Sequence, residues 1–110
     1  MASIRGASDP MHADTLLPQL ADLFRLLGDT TRLRIVMACL QGPVAVGDIA
    51  AGLELAPTLV SHHLRLLRAA RLVKSERQGR HVLYSTADQH VARMLGDMIE
   101  HIAEPTGELE

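Results

Sequence analysis

The sequence is almost without aromatic side chains: its 110 residues include one phenylalanine, Phe24, one tyrosine, Tyr84, and no tryptophan. A core drawn from it must be aliphatic, and the abundance of Leu, Ala, Val, Ile and Met favours helices. Cysteine is nearly absent too. The single Cys39, inside the apolar run RIVMACL, excludes an internal disulfide and reads as a small buried hydrophobe rather than a reactive thiolate. Missing as well is any run near the roughly 18 apolar residues of a membrane span, or a charged start followed by an apolar stretch at the N-terminus. The expectation is a cytoplasmic chain with no membrane partner. Its length is that of one domain, small enough for a second subunit to add to the core.

What is present is segregated charge. Residues 1–56 hold four basic and six acidic residues, residues 57–81 hold six and one, and residues 82–110 hold one and six. A basic segment within a mildly acidic chain points to a localised contact with a polyanion.

Hydrophobic spacing divides the chain into an N-terminal tail over 1–13, one domain over 14–104, and a C-terminal tail over 105–110. From Asp14, the residues Leu16, Leu17, Leu20, Leu23, Phe24 and Leu27 recur at helical spacing until Gly28. A second helix is capped by Asp29 or Thr30, presents Leu33, Val36, Met37 and Leu40, and stops at Gly42-Pro43. Val44 to Val46 can make only a bridging strand. A short third helix runs from Asp48 to Leu53. A fourth opens at Pro57, with Leu59, Val60, Leu64 and Leu67 as its apolar stripe. The period then changes: Leu72-Val73 and Val82-Leu83-Tyr84 are two β-prone runs joined by the polar ERQGRH, a hairpin signal. Asp88 caps a fifth helix carrying Val91, Met94, Leu95, Met98, Ile99 and Ile102. The fold class expected is mainly α with a small β-hairpin.

A short helix, a turn, a second helix and an adjoining hairpin is the order of elements in a winged helix-turn-helix, whose second helix enters the major groove of DNA. Here that helix carries Thr58, Ser61, His62 and Arg65, with Arg68 and Arg71 further along. Ser and Thr can meet base edges or phosphates, and Arg can do either. Adjacent histidines on a helix point about 100° apart, which makes His62 the better DNA contact and His63 a packed or second-layer residue. Lys74, Arg77, Gln78 and Arg80 on the hairpin are long donors able to reach the backbone or minor groove. A solvated basic helix is the bland alternative. The charge block, two helices and a basic hairpin together favour double-stranded DNA.

The stretch DQHVARMLGDMIEHIAEP adds a second constellation. Asp88, His90, His101 and Glu104 are all of metal-ligand type, and His90, Asp97, His101 and Glu104 fall on one stripe of a helical wheel, flanking the apolar stripe. Eleven residues of helix hold His90 and His101 about 16 Å apart, against bonds of about 2 Å to zinc. One copy cannot close a site. Two copies crossing antiparallel about a twofold axis can, because Asp88 with Glu104 and His90 with His101 share nearly the same midpoint, next to Gly96. Each of two symmetric sites would take Asp88 and His90 from one protomer and His101 and Glu104 from the other. Two imidazoles and two carboxylates suit Zn(II) or Co(II) better than soft ions. Asp97 is either an acceptor for a ligating histidine or merely solvated. Any one of these residues alone reads as an ordinary polar surface group.

The stretches LVSHHLRLLRAARLVKSERQGRHVLYS, DQHVARMLGDMIEHIAE and GDTTRLRI resemble the ArsR/SmtB family of metal-responsive winged-helix repressors, from about Phe24 to Glu104. Within it the chain is most similar to zinc and cobalt sensors with a D-x-H, ten-residue, H-x-x-E or H pattern on the terminal dimer helix. That pattern falls on Asp88, His90, His101 and Glu104. The resemblance implies a homodimer that binds an imperfect palindromic operator without metal and leaves it on binding Zn(II) or Co(II), derepressing metal efflux or resistance genes. A regulator answering nickel, Ni(II), or cobalt through extra N-terminal ligands such as His12 is the alternative, and a winged-helix regulator answering a non-metal signal is another. Where many relatives carry C-x-C at the third helix, this chain has Ala45 and Gly47, which removes a thiolate site there. An enzyme would need an open coordination position, a general base and a substrate cleft, none of which the sequence offers.

Overall fold

The computed structural model describes residues 10–106, with side chains from residue 14 onward. Among the described residues, five helices, a 3-10 turn and three strands follow one another: α1 (Pro10–Leu27), α2 (Thr30–Ala38), the turn Cys39–Gln41, β1 (Val44–Ala45), α3 (Val46–Leu53), α4 (Pro57–Ala69), β2 (Val73–Gln78), β3 (His81–Thr86) and α5 (Gln89–Ala103).

The first helix begins at Pro10, four residues before the expected Asp14, and Pro10 suits a first helical turn because the amide it lacks would have no partner there. His12 falls on that turn, but its side chain lies outside the described residues. Pro18 removes a hydrogen bond from the middle of α1. The hold of α1 on the domain therefore comes from its last two turns, where Leu27 is buried and Leu23 and Leu26 pack against the core.

The capping residues act as their types predict. Asp29 accepts the Arg32 amide at 2.9 Å, and Asp88 accepts the Val91 amide at 3.0 Å. The core is aliphatic: Ile35, Val36 and Cys39 from α2 and its 3-10 extension, Ile49 and Ala50 from α3, Val60, Leu64 and Leu67 from α4, with Leu72, Val73 and Leu95. Leu33, Met37 and Leu40, expected on the inner face of α2, lie at the core's edge, while Ile35 joins Val36 at its centre.

Both helices of the α3–α4 pair end in the same way. Leu55 N–H bonds Ala50 C=O and Glu54 N–H bonds Ala51 C=O; Leu72 N–H bonds Leu67 C=O and Arg71 N–H bonds Arg68 C=O. This is the Schellman arrangement, which needs one left-handed residue. Glu54 (φ 59°) and Arg71 (φ 62°) take that role here, where glycine is the usual occupant.

The hairpin is longer than its β-prone runs. Glu76, Arg77 and Gln78 continue β2, Gln78 faces His81, and only Gly79-Arg80 remains as the turn. Gly79 has φ 62°, a first turn position that favours glycine. The bridging segment pairs with the hairpin, Val44 opposite Tyr84 and Ala45 opposite Leu83, giving an antiparallel sheet in the order β1-β3-β2.

Candidate functional site: a nucleic-acid face and a split ligand set

Helix α4 follows α3 after a three-residue turn and packs chiefly against α2, α3 and β2. Val60, Leu64 and Leu67 face inward, leaving Thr58, His62 and Arg65 exposed and Ser61 half-buried beside them. Lys74, Arg77, Gln78 and Arg80 are exposed along the hairpin that leaves the end of α4. The DNA-facing residues expected from the sequence thus occupy one helix and the wing next to it. Leu59 departs from expectation. The apolar spacing puts it on the inner stripe, yet it is 40% exposed, because one step from Val60 rotates it about 100° off the buried line.

His63 is half-buried, and its Nδ1 is shielded from solvent without a hydrogen-bond partner. Desolvation lowers its pKa from the ordinary histidine value; the Arg32 guanidinium and His62 lower it further, while Asp29 opposes them.

The four ligand-type residues lie as two pairs at opposite ends of α5. Asp88 and His90 stand at its start, His101 in its last turn, and Glu104 just past the final helical residue. Glu104 has an extended backbone (φ −69°, ψ 140°), so it departs from the helical wheel, although its N–H still bonds Glu100 C=O. All four are exposed. Asp88 Oδ1 is engaged by the Val91 amide; among the described residues, the side chains of His90, His101 and Glu104 have no hydrogen bond or ion pair. Among the described residues no three His, Cys, Asp or Glu side chains of this single chain gather closely enough to hold a metal. Their donor chemistry nevertheless fits a borderline divalent ion.

Sequence distance concealed one juxtaposition. Asp88 and His90 share a cleft of about 670 Å³ with Arg68, Arg71, Lys74 and Ser75. The start of α5 therefore borders the end of α4 and the base of the wing. Charge alone could not have placed these together, because most of the hairpin lies between them in sequence.

Thiolate chemistry has no counterpart here. Ala45 and Gly47 occupy the junction of β1 and α3. Cys39 is fully buried, and burial pushes its thiol up to about 11.

This arrangement of α3, α4 and the β2–β3 wing is a winged helix-turn-helix. The sequence pattern of bacterial regulatory proteins of the arsR family matches residues 29–75. The transcriptional repressor SmtB homolog of Synechocystis is 42% identical over 86 residues, 78% of this chain and 65% of that protein. The chain thus spans slightly less than two thirds of that relative's length. The transcriptional regulator CmtR of Mycobacterium tuberculosis is 46% identical over 81 residues, 74% of this chain and 69% of that protein. The NMR structure of this cadmium metal-sensor superposes with a TM-score of 0.66 at 44% identity, covering 80% of this chain and 92% of that one. The homodimeric winged helix-turn-helix DNA-binding domain from Mycobacterium bovis gives a TM-score of 0.75 at 32% identity, covering 89% and 88%. The chain belongs to the arsR family of bacterial regulatory proteins. Its relatives are transcriptional regulators, not enzymes. Among the described residues no helix is long and apolar enough to cross a membrane.

Proposed function

We propose that the protein is a dimeric, metal-responsive repressor. Free of metal, it binds an imperfect palindrome in double-stranded operator DNA; Zn(II) or Co(II) held between the terminal helices of two protomers weakens that grip and derepresses metal efflux or resistance genes. The observation that carries this reading is the division of α5: two ligand pairs at its ends, and between them an apolar face left open in the single chain. Met98 and Ile99 are each 51% exposed and Ile102 76%. On α1, Leu17, Leu20 and Phe24 are open as well. Apolar surface of this extent is covered by a partner far more often than by water.

Gly96 supports the same reading. A helix-interior glycine costs about 1 kcal/mol relative to alanine, and among the described residues nothing beyond its chain neighbours and its own helix backbone lies within 4 Å of where a Cβ would stand. The close approach of a second α5 gives that glycine a purpose.

In the dimer, Asp88 and His90 of one protomer would join His101 and Glu104 of the other. The cap at Asp88 fixes the carboxylate and leaves its second oxygen for a ligand. A bound ion would supply a concentrated positive charge linking the protomers. Because each ligand set is drawn from both chains, it selects a relative orientation of protomers and hence a spacing of the two α4 helices. By linkage, DNA must weaken metal binding by the factor with which metal weakens DNA binding. Thr58, Ser61, His62 and Arg65 meet bases or phosphates, and Lys74, Arg77, Gln78 and Arg80 grip the backbone or minor groove. The donor set favours Zn(II) or Co(II) over cadmium, since no accessible thiolate exists. Ni(II) is the alternative if His12 expands the coordination.

Operator binding by wild type and by His101→Ala, with and without zinc, tests the proposal. Zinc should release the wild type and leave the variant bound. Release of the variant at the same zinc concentration contradicts it and favours a different signal.

A further inference from the structure

An apolar side chain stands among the DNA-facing donors of α4. Leu59 is 40% exposed in the first turn of the helix, next to exposed Thr58 and one turn before exposed His62. Its helix packs chiefly on α2, α3 and β2, so Leu59 belongs to a different element from the apolar faces left open on α1 and α5. Leu66, seven residues on, is 37% exposed along the same side. The outer surface of α4 is therefore two-edged: Thr58 and Arg65 on the polar edge, Leu59 and Leu66 on the apolar edge, with His62 between them.

We propose that Leu59 is a specificity-determining residue that reads the C5-methyl of a thymine in the major groove. This rests on the DNA-binding reading above. Base edges in that groove present donors and acceptors, with one apolar group among them, the thymine methyl. A leucine carried into the groove beside Thr58 and His62 has no other partner of its own chemistry, and meeting a polar edge instead would desolvate that edge without replacing its hydrogen bonds. Helix-turn-helix proteins bring the N-terminal residues of the second helix to the bases, and Leu59 is the third residue of α4. Leucine has no hydrogen bond to offer, so it discriminates by apolar contact and shape.

The test begins with duplex sites selected by the full-length, metal-free protein from a random pool. Each thymine is then replaced in turn by uracil, which removes the methyl and leaves the hydrogen-bonding edges intact. At one thymine of each half-site, wild type should lose about fourfold in affinity, the equivalent of about 0.8 kcal/mol per buried methyl. Leu59→Ala should be indifferent to uracil at that thymine while keeping the wild-type response elsewhere, and Leu59→Met should restore the sensitivity. A wild type indifferent to every replacement, or a Leu59→Ala profile identical to wild type, overturns the proposal while leaving DNA binding intact. Failure of the wild type to select any sequence overturns the DNA-binding reading itself.

Discussion

The rings of His62 and His63 lie 5.6 Å apart and tilted by 58°, yet one imidazole is in solvent and the other is half-buried with its Nδ1 sealed from water. Neutral His63 is favoured by burial and by Arg32, against the opposing pull of Asp29. Its folded-state pKa therefore lies below its unfolded value, and in the window just below about pH 6.5 the unfolded chain binds a proton that the folded chain refuses. Stability from this group is complete above that value and is lost as pH falls through it. His63→Gln should flatten the fall in unfolding free energy between pH 7.5 and pH 5.5, as measured by urea titration at fixed protein concentration. An unchanged slope would refute the assignment.

Glu54 and Arg71 hold left-handed backbone at the ends of α3 and α4. A side chain in that region costs about 1–2 kcal/mol, part of which glycine returns through the entropy of the unfolded chain. Arg71→Gly and Glu54→Gly should each raise stability by about 0.5–1 kcal/mol, read as a higher urea midpoint with the same slope. Destabilisation at Arg71 would mean that its side chain makes a contact worth more than the strain.

Lys74 and Arg77 are exposed on β2, where neither has an ion pair among the described residues. If both meet phosphates, replacing either by alanine should weaken binding to all duplexes nearly uniformly. In a dimer it should also reduce the slope of log affinity against log salt by about two, one contact per half-site. A loss confined to particular sequences would instead make that residue a base reader.

Much of this architecture was legible in the sequence because its signals are local. Asp29 and Asp88 cap through their own side chains, and the β-prone pairs flanking a glycine marked the hairpin. Contacts made at a distance were less visible. Leu59 has the apolar type of a core residue but not the direction of one, and its neighbour Val60 points inward instead. Polar composition made Glu76 to Gln78 look like a loop, although the ladder with β3 satisfies their backbone groups. That Asp88 and His90 stand at one end of α5 and His101 and Glu104 at the other was legible through spacing alone. Their proximity to Arg68, Arg71 and Lys74 depends on how the wing folds back, which no local pattern encodes.

The central claim, that each metal site is assembled from two chains, is tested most directly by mixing two defective proteins. Asp88→Ala/His90→Ala and His101→Ala/Glu104→Ala should each form dimers without an intact site. Co-refolded, they form mixed dimers in which one of the two sites regains all four ligands. Titration with Co(II) should then show the visible absorption of a tetrahedral ion, saturating at one ion per mixed dimer and absent from either parent. Cobalt absorption no greater than that of the parents, in a sample shown to contain mixed dimers, would contradict the account.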